Sequence, residues 1–350
     1  MDIERIAASI EPLDGSAMDA ARERQRRLTK PQGSLGRLEE LAVQLAGITG
    51  QVRPRLPRKA VVVMAADPGV VAAGVSAYPR DVTPQMVLNF LAGGAAINVL
   101  ARRAGARVVV VDVGVAAELP VTDGLVRRKV ALGTRNLAVE PAMARDEAER
   151  AIEVGMEVLE EEVRRGLDLV ATGEMGIGNT TASSAIVALL ADRPVAEVVG
   201  RGTGVGEAGM ARKVRAIERG IRSTRPDGSD PMDVLAKVGG LEIAGLVGVM
   251  LAGAAHRLPV VVDGFISGAA ALVAVGMCPR LRDYLIPSHR SAETGHRVVL
   301  EALGLRPLFD LDMRLGEGTG AAIAMQLIDD ALALHDEMAT FSEAGVSEGA

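Results

Sequence analysis

The chain has 350 residues and a formal net charge of −6, and this acidic balance argues against nucleic acid or an anionic membrane as its main partner. Hydrophobic residues make up 49% of the chain but aromatic residues only 2%, so its core must consist of Ala, Val, Leu, Ile and Met. A single cysteine excludes an internal disulfide. The acids Asp2 and Glu4 and the lack of an apolar stretch beside them predict no signal peptide, and the longest apolar run, residues 243–255, is too short to span a bilayer. We therefore expect a soluble cytoplasmic protein.

The first part of the chain is predicted to be helical. Residues 1–28 are charged and follow a helical pattern, and the Pro and Gly residues of 29–36 end it. A second helix is predicted to begin at Ser34 or Gly36 and to run through Ala46. Residues 53–58 are rich in Pro and Arg, and we interpret them as a linker at a domain boundary.

From residue 60 the pattern changes to short apolar runs that alternate with helices. The predicted strands cover residues 60–67, 107–114, 167–172, 259–264 and 284–286, with helices over 82–104 and 147–165. This alternation predicts right-handed βαβ crossovers and a mainly parallel sheet. Ligands of such sheets bind beyond the carboxyl ends of the strands, where Asp67, Asp112, Glu174 and Asp263 fall.

Residues 173–186, GEMGIGNTTASSAI, follow the third of these strands and lead into a helix. A strand, a glycine-rich turn and a helix N-terminus present backbone N–H groups to an anion, and Thr180 or Thr181 is placed to cap the helix. The same pattern also occurs in ordinary tight βα turns. Glu174, placed by this interpretation inside the turn, indicates a ligand with a cationic or proton-bearing part as well as a phosphate.

A second glycine-rich loop, residues 200–206, precedes the helix that carries Lys213. Two phosphate-type loops and a lysine are a more specific signal than either loop alone, although Lys213 is equally compatible with a solvated position. Neither loop has the dinucleotide fingerprint, which disfavours a dehydrogenase. Asp112 stands alone after its strand, so the paired acids of a pyrophosphate–magnesium site are missing.

Two polar segments near the C-terminus could carry chemistry. In residues 287–296, Ser291 is suited either to cap a helix or to bond a ligand, whereas His289 and His296 lack the companions of a metal site. In residues 315–325, Glu317 lies between two glycines before a long apolar helix. Loss of solvation would raise the pKa of this carboxyl group and the helix N-terminus would lower it, so the net direction stays open, and we favour a general base over a structural acid.

Taken together, these motifs resemble the nicotinate-nucleotide:dimethylbenzimidazole phosphoribosyltransferases of cobalamin biosynthesis. The resemblance runs over nearly the whole chain and includes residues 30–39, 74–101, 173–186, 200–206, 239–254, 287–296 and 315–325. It implies a Rossmann-like, doubly wound α/β domain over residues 58–319. It also implies a small helical domain formed by residues 1–57 and 320–350, and a homodimer.

The resemblance further implies the reaction and the residues that serve it. Ribose 5-phosphate would move from nicotinate mononucleotide to dimethylbenzimidazole or a related base, giving α-ribazole 5'-phosphate and nicotinate with no metal or redox cofactor. The general base falls on Glu317, and the nicotinate end lies near Ser291. The predicted substrate contacts are Glu174, Gly176, Asn179 and Thr180 in the first loop, Gly202, Thr203 and Gly204 in the second, and Lys213.

The acceptor pocket is assigned by motif position to Tyr78, Met86 and Met175, together with Leu315. The alternative is that both methionines fill the core, as methionine commonly does. The chain departs from the family pattern at Pro68, where the family usually has His, and at Ala73, and both positions are expected near the acceptor side. These departures leave open a second hypothesis, a nucleotide-binding or sensor protein without turnover.

Overall fold

A computed structural model describes residues 2–347. The helices are α1 (Ile3–Ser9), α2 (Gly15–Arg27), α3 (Arg37–Thr49), α4 (Val82–Leu91), α5 (Ala96–Ala104), α6 (Arg145–Arg164), α7 (Asn179–Leu190), α8 (Val195–Val198), α9 (Glu207–Thr224), α10 (Pro231–Val238), α11 (Leu241–Ala255), α12 (Phe265–Met277), α13 (Thr294–Leu303), α14 (Thr319–Glu337) and α15 (Phe341–Ala344). The strands are β1 (Lys59–Ala66), β2 (Ala106–Gly114), β3 (Leu125–Arg127), β4 (Leu169–Met175), β5 (Val260–Val262) and β6 (Leu285–Pro287). Two 3-10 turns cover Gly69–Ala73 and Pro279–Tyr284.

The strands form one parallel sheet in the order β3-β2-β1-β4-β5-β6. This is the doubly wound Rossmann order, and the predicted fold class is confirmed. The connection from β1 leads to β2 on one side of it, and the connection from β3 returns to β4 on the other side, which opens a crevice at the carboxyl ends of β1 and β4. The strand order therefore fixes where a ligand of this fold binds, before any side chain is considered.

The sheet is buried on both faces, and β1 shows how the sequence achieves this. Val62 and Met64 point into a core shared with α6, α7, α11 and α12, while Val61 and Val63 point into a second core shared with α3, α5 and α14. Successive residues of a strand face opposite sides, so a continuous run of Val, Ala and Met satisfies both cores at once.

The two ends of the chain lie side by side. Helix α3 packs on α14, and Leu41 and Leu45 of α3 share a core with Met325 of α14. Helix α14 also packs on β4 and β5, so its apolar side lies directly on the sheet. The boundaries near residues 58 and 319 stay a prediction.

Several local predictions were wrong. Strand β4 continues to Met175, so Glu174 lies in the strand and pairs in register with Met64 of β1 rather than lying in the turn. Strand β3 was missed because only three residues pair at the sheet edge. Gly178, with φ 94°, precedes the first residue of α7, so neither Thr180 nor Thr181 caps that helix. Gly36, by contrast, lies at the start of α3 as predicted.

The predicted helix over 82–104 is two helices. By length and composition alone, the 23 residues Val82–Ala104 could form a helix that crosses a membrane. The chain turns between α4 and α5, where Gly93 has φ 77°, and each of the two helices is shorter than the roughly 20 residues that a bilayer requires.

Helices α6 and α11 approach closely through glycine, and this contact yields a stability prediction. A β-carbon on Gly248 would overlap the carbonyl oxygen of Ile152, so an alanine must push the helices apart. We expect Gly248→Ala to lower the free energy of unfolding by about 1–3 kcal/mol in denaturant titrations. Gly15→Ala is the matched control, because no atom lies within 4 Å of the added carbon. Equal stability of both variants would contradict this packing.

Candidate active site

A cavity of about 510 Å³ opens at the carboxyl ends of β4, β5 and β6. It is lined by Tyr78, Val82, Met86, Glu174, Met175, Gly176, Ile177, Asn179, Thr180, Gly202, Thr203, Asp263, Gly264, Phe265, Ile266, Ser267, His289, Ser291, Glu293, Arg314, Leu315, Gly316 and Glu317. All the predicted site residues lie on this surface except Gly204 and Lys213. Neither Pro68 nor Ala73 belongs to the lining, although a β-carbon on the lining residue Gly176 would lie 3.4 Å from Pro68 Cδ. Their expected position near the acceptor side stays a prediction.

Glu317 is held in an unusual backbone conformation. Gly316, Glu317 and Gly318 have consecutive φ values of 84°, 63° and 87°. For glutamate the left-handed region costs about 1–2 kcal/mol, so surrounding contacts must enforce it. The carboxylate of Asp263 supplies two of them, because it accepts the N–H of Gly318 at 3.2 Å and that of Ala321 at 3.0 Å.

The turn that carries Glu317 lies directly on β4. A β-carbon on Gly173 would come within 2.6 Å of the carbonyl oxygen of Glu317, and one on Gly318 would approach Val61 at 2.5 Å. A β-carbon on Gly316 would overlap the Glu174 carboxylate. Glycine at these positions therefore lets the turn lie against the sheet, with the carboxyl groups of Glu174 and Glu317 facing one cavity.

Three buried acids at this end of the cavity have raised pKa values. Burial raises the pKa of Glu174 to about 8, reinforced by the charge of Asp263 and opposed by the Asn179 amide, which donates to its carboxylate. Burial raises the pKa of Asp263 to about 7, although the backbone N–H groups that donate hydrogen bonds to its carboxylate lower this pKa. Glu317 is 7% exposed, and burial raises the pKa of its carboxyl group too, whereas the backbone N–H of Ile97 lowers it.

The side chain of Glu317 is poised to accept a proton. Its Oε2 is buried and has no hydrogen-bond partner within residues 2–347. A carboxylate with a raised pKa is a stronger base, and an unpartnered oxygen is free to bond a ligand proton. Burial, orientation and pKa thus all suit Glu317 to general-base chemistry.

At the other end of the cavity, the two glycine loops meet. Lys213 of α9 is 2% exposed and lies behind them, where its Nζ donates to Thr180 Oγ1 at 2.9 Å and to the Gly200 carbonyl at 3.2 Å. Arg314 Nη1 donates to the Gly202 carbonyl at 2.8 Å. Burial lowers the pKa of Lys213, opposed by the nearby Glu293 carboxylate. This part of the site therefore combines a glycine-rich backbone with two cationic side chains.

Between the two ends lies an apolar wall. Met175 and Ile177 belong to the sheet core and also line the cavity, and Met86, another lining residue, packs against the same core. Tyr78 and Leu315 are 53% and 58% exposed, which places them at the mouth. A flat apolar ligand can be buried here with few directional bonds.

Sequence reasoning missed several residues that line the cavity. Asp263 was noticed at a strand end, but its hydrogen bonds to the start of α14 join segments 55 and 58 residues apart. Glu293 and Arg314 were given no role, although Glu293 lies in the polar segment 287–296 and Arg314 directly precedes residues 315–325. His296 Nδ1 accepts the backbone N–H of Ser291 at 2.8 Å, so this histidine positions the loop. Ser291 does not cap α13, since its hydroxyl accepts the N–H of Glu293, which precedes the first residue of that helix.

Comparison with known proteins agrees with this site. A family model described as phosphoribosyltransferase matches residues 10–346. A nicotinate-nucleotide–dimethylbenzimidazole phosphoribosyltransferase of Chloroflexus aggregans is 62% identical over 97% of this chain and 96% of its own. That of Desulforudis audaxviator is 59% identical over 99% of each chain. The crystal structure of the Thermus thermophilus protein of the same name has a TM-score of 0.92 at 53% identity, covering 96% of this chain and 100% of that one.

The doubly wound sheet with two glycine loops and a buried glutamate thus defines a phosphoribosyltransferase. More specifically, the chain belongs to the family of nicotinate-nucleotide–dimethylbenzimidazole phosphoribosyltransferases. The resemblance drawn from its motifs is confirmed.

One further buried acid lies close to the site. Glu242, in the first turn of α11, is 0% exposed, and neither of its carboxylate oxygens has a partner in the described part of the chain. Burial, aided by the charges of Glu174 and Asp67, raises its pKa from 4.5 to about 8. The carboxyl group of Glu242 therefore binds its proton more tightly in the native state than in the unfolded chain.

This linkage predicts a pH-dependent stability. A raised carboxyl pKa stabilises the fold at low pH, and that stability is lost as pH rises from about 4.5 through about 8. The side chain of Glu242→Gln cannot ionise. Between these pH values the free energy of unfolding should therefore fall less for Glu242→Gln than for wild type, and we expect the two decreases to differ by on the order of 1–4 kcal/mol. Denaturant titrations at both pH values measure this, with exposed Glu301→Gln as control. Parallel pH profiles for wild type and Glu242→Gln would contradict a neutral Glu242.

Proposed function

We propose that the protein transfers ribose 5-phosphate from nicotinate mononucleotide to 5,6-dimethylbenzimidazole or a related aromatic base. The products are nicotinate and α-ribazole 5'-phosphate, and the step belongs to the nucleotide-loop branch of cobalamin biosynthesis. The observation that carries this proposal is Glu317, which the sheet and Asp263 hold in a left-handed turn in the cavity wall, with a buried carboxylate oxygen that has no hydrogen-bond partner in residues 2–347.

The chemistry requires one base and no acid. The ring nitrogen of the nicotinate nucleotide is already cationic, so the bond from C1' to that nitrogen breaks with its electron pair moving onto the ring. One nitrogen of the acceptor forms the new bond to C1' from the opposite face, which converts the β donor into an α product. The other nitrogen loses its proton, and Glu317 Oε2 accepts it.

The remaining residues bind and orient. We assign the ribose phosphate to the two loops, with Gly176, Thr180, Gly202 and Thr203 facing it. Lys213 acts through Thr180, to which it donates, and supplies positive charge from behind the loop. Fixing the phosphate places C1' for displacement, and such positioning contributes as much to rate as the base does.

Glu174 and Ser291 complete the donor side of the proposal. The carboxyl group of Glu174 lines the same cavity as Glu317. Its pKa of about 8 keeps it largely protonated at neutral pH, and a cationic ring bound beside it would favour its ionised form. Ser291 lies at the nicotinate end, and Asn179 orients Glu174 through their hydrogen bond. Gly204 is exposed beyond the cavity, and we assign it to the flexible rim of the second loop.

We further propose that the protein is a cytoplasmic homodimer that needs no metal or redox cofactor. In the described residues no group of three or more His, Cys, Asp or Glu is arranged to hold a metal ion. The two terminal segments, residues 1–57 and 320–350, are proposed to act as the small domain.

The first test is release of nicotinate when the purified protein meets nicotinate mononucleotide and dimethylbenzimidazole. We expect turnover by wild type, and a rate lower by about 10²–10⁴ for Glu317→Gln with nucleotide binding retained. Asp310→Asn, a change in the loop before α14 and outside the cavity, is the control. Nucleotide binding with no turnover by wild type would favour the sensor hypothesis. Activity of Glu317→Gln within a few-fold of wild type would move the base elsewhere, with Glu174 next in line.

The apolar wall predicts a broad acceptor range. One methyl group more or less in such a pocket changes transition-state binding by about 1–3 kcal/mol, so benzimidazole and its methylated forms should differ by less than about 200-fold. Competition between dimethylbenzimidazole and benzimidazole measures this preference. Met175→Gln should reduce it, because an amide is a poorer neighbour for methyl groups, whereas Met210→Gln, outside the cavity, should not. A preference above roughly 10⁴, or one indifferent to Met175, would disprove the pocket assignment.

A further inference from the structure

Glu293 is a buried carboxylate at the cationic end of the cavity. It lies between β6 and α13, it is 6% exposed, and it lines the cavity. Its Oε2 has no hydrogen-bond partner in residues 2–347. A buried charge with an unpartnered oxygen is costly, and one beside a proposed phosphate site calls for a functional explanation.

The carboxylate of Glu293 lies against the second glycine loop. A β-carbon on Gly200 would overlap Glu293 Oε2, so only glycine allows this approach. The next glycine of the loop, Gly202, would carry a β-carbon 2.7 Å from both Lys213 Nζ and Thr180 Oγ1. The loop is thus enclosed between an acid on one side and an ammonium group on the other.

The charges around Glu293 come from several elements. Lys213 of α9 and Arg314 before α14 face it and lower its pKa, as does the Gly202 N–H, but burial is the larger effect and raises the pKa. Within the described residues Glu293 has no cation at ion-pair distance, so Lys213 is a neighbour rather than a partner. On its outer side Glu293 also lines a groove whose charged members are Arg193, Glu197, Arg290, Arg297, Glu301, Asp310 and Asp312. The two imidazoles near its loop, His289 and His296, have pKa values lowered by burial.

We propose that Glu293 is the internal counter-ion of the phosphate site, and that its carboxylate takes up a proton from solvent when a phosphate dianion binds at the glycine loops. In the empty cavity its negative charge balances Lys213 and Arg314. When a phosphate dianion binds, its charge compensates these two cations instead. The dianion also repels the ionised carboxylate of Glu293 and so favours its protonated form. The inference rests on the proposed placement of the phosphate, and the proton ends on a carboxylate oxygen of Glu293.

Proton uptake gives phosphate binding a defined pH dependence. Binding that takes up a proton weakens as pH rises, by at most about tenfold per pH unit for one proton. Glu293→Gln has the same shape and cannot ionise, so its nucleotide affinity should change less with pH. A purely structural role for Glu293 would shift the affinity of the variant without changing its pH dependence.

The experiment is calorimetric titration of nicotinate mononucleotide into the protein, in two buffers of different ionisation enthalpy at the same pH. The pH is set well above about 6, where the free phosphate is already a dianion. We expect wild type to take up a fraction of a proton approaching one and Glu293→Gln to take up markedly less. Exposed Glu301→Gln, in the helix that follows Glu293, should match wild type. Equal uptake by wild type and Glu293→Gln would overturn the proposal.

A second titration needs no variant of Glu293. Nicotinate riboside, which lacks the phosphate, should bind wild type with little uptake, and uptake equal to that of the mononucleotide would also overturn the proposal. The outcomes remain distinct from those of the transfer assay. Turnover without Glu293-dependent uptake disproves this inference alone, uptake without turnover disproves the proposed reaction alone, and no nucleotide binding contradicts both.

Discussion

The site depends on the way in which Asp263 fastens α14 to the sheet. The backbone N–H of Asp263 donates to Thr172 Oγ1 on β4 at 3.3 Å, and its carbonyl accepts from Ser288 Oγ, just after β6, at 2.7 Å. The residue is therefore fixed between the strands that flank β5. Its carboxylate accepts hydrogen bonds from two backbone N–H groups at the start of α14. The left-handed turn that contains Glu317 is therefore held in a fixed position relative to the sheet.

Small residues make this arrangement possible. The chain has 40 glycines and no Trp, and at the site this composition lets backbone lie on backbone. The turn at Glu317 lies on Gly173, and the second loop lies on the carboxylate of Glu293 through Gly200. Carboxyl, amide and hydroxyl groups line the cavity together with apolar side chains such as Met175, Ile177 and Phe265, so a mostly apolar sequence still forms a site with polar groups.

The sequence predicted those parts of the fold that local pattern determines. Runs such as residues 60–67 and 107–114 indicate buried parallel strands because both faces need apolar residues, and the acids after them mark the ligand edge. Strand β3 and the last residues of β4 were not predicted, because pairing with a neighbouring strand determines their conformation. Glu174, for example, belongs to β4 because it pairs in register with Met64 of β1. Likewise, loop residues such as Glu317 and Thr203 followed from their motifs. Asp263 and Glu293 did not, since their roles arise from contacts with distant segments.

The cavity brings ionisable groups of both signs against one ligand, and this has a consequence for how the donor is held. Glu174, Asp263 and Glu317 line the cavity, while Lys213 and Arg314 hold the carbonyl groups of Gly200 and Gly202 in the second loop. Burial raises the pKa of all three acids, and with a pKa of about 8 Glu174 is largely protonated at neutral pH. A cationic ring bound beside such carboxyl groups favours their ionised form, and its departure with a neutral nitrogen removes that effect. In the proposed reaction, the cationic donor thus favours the ionised form of Glu317 that takes the proton of the acceptor.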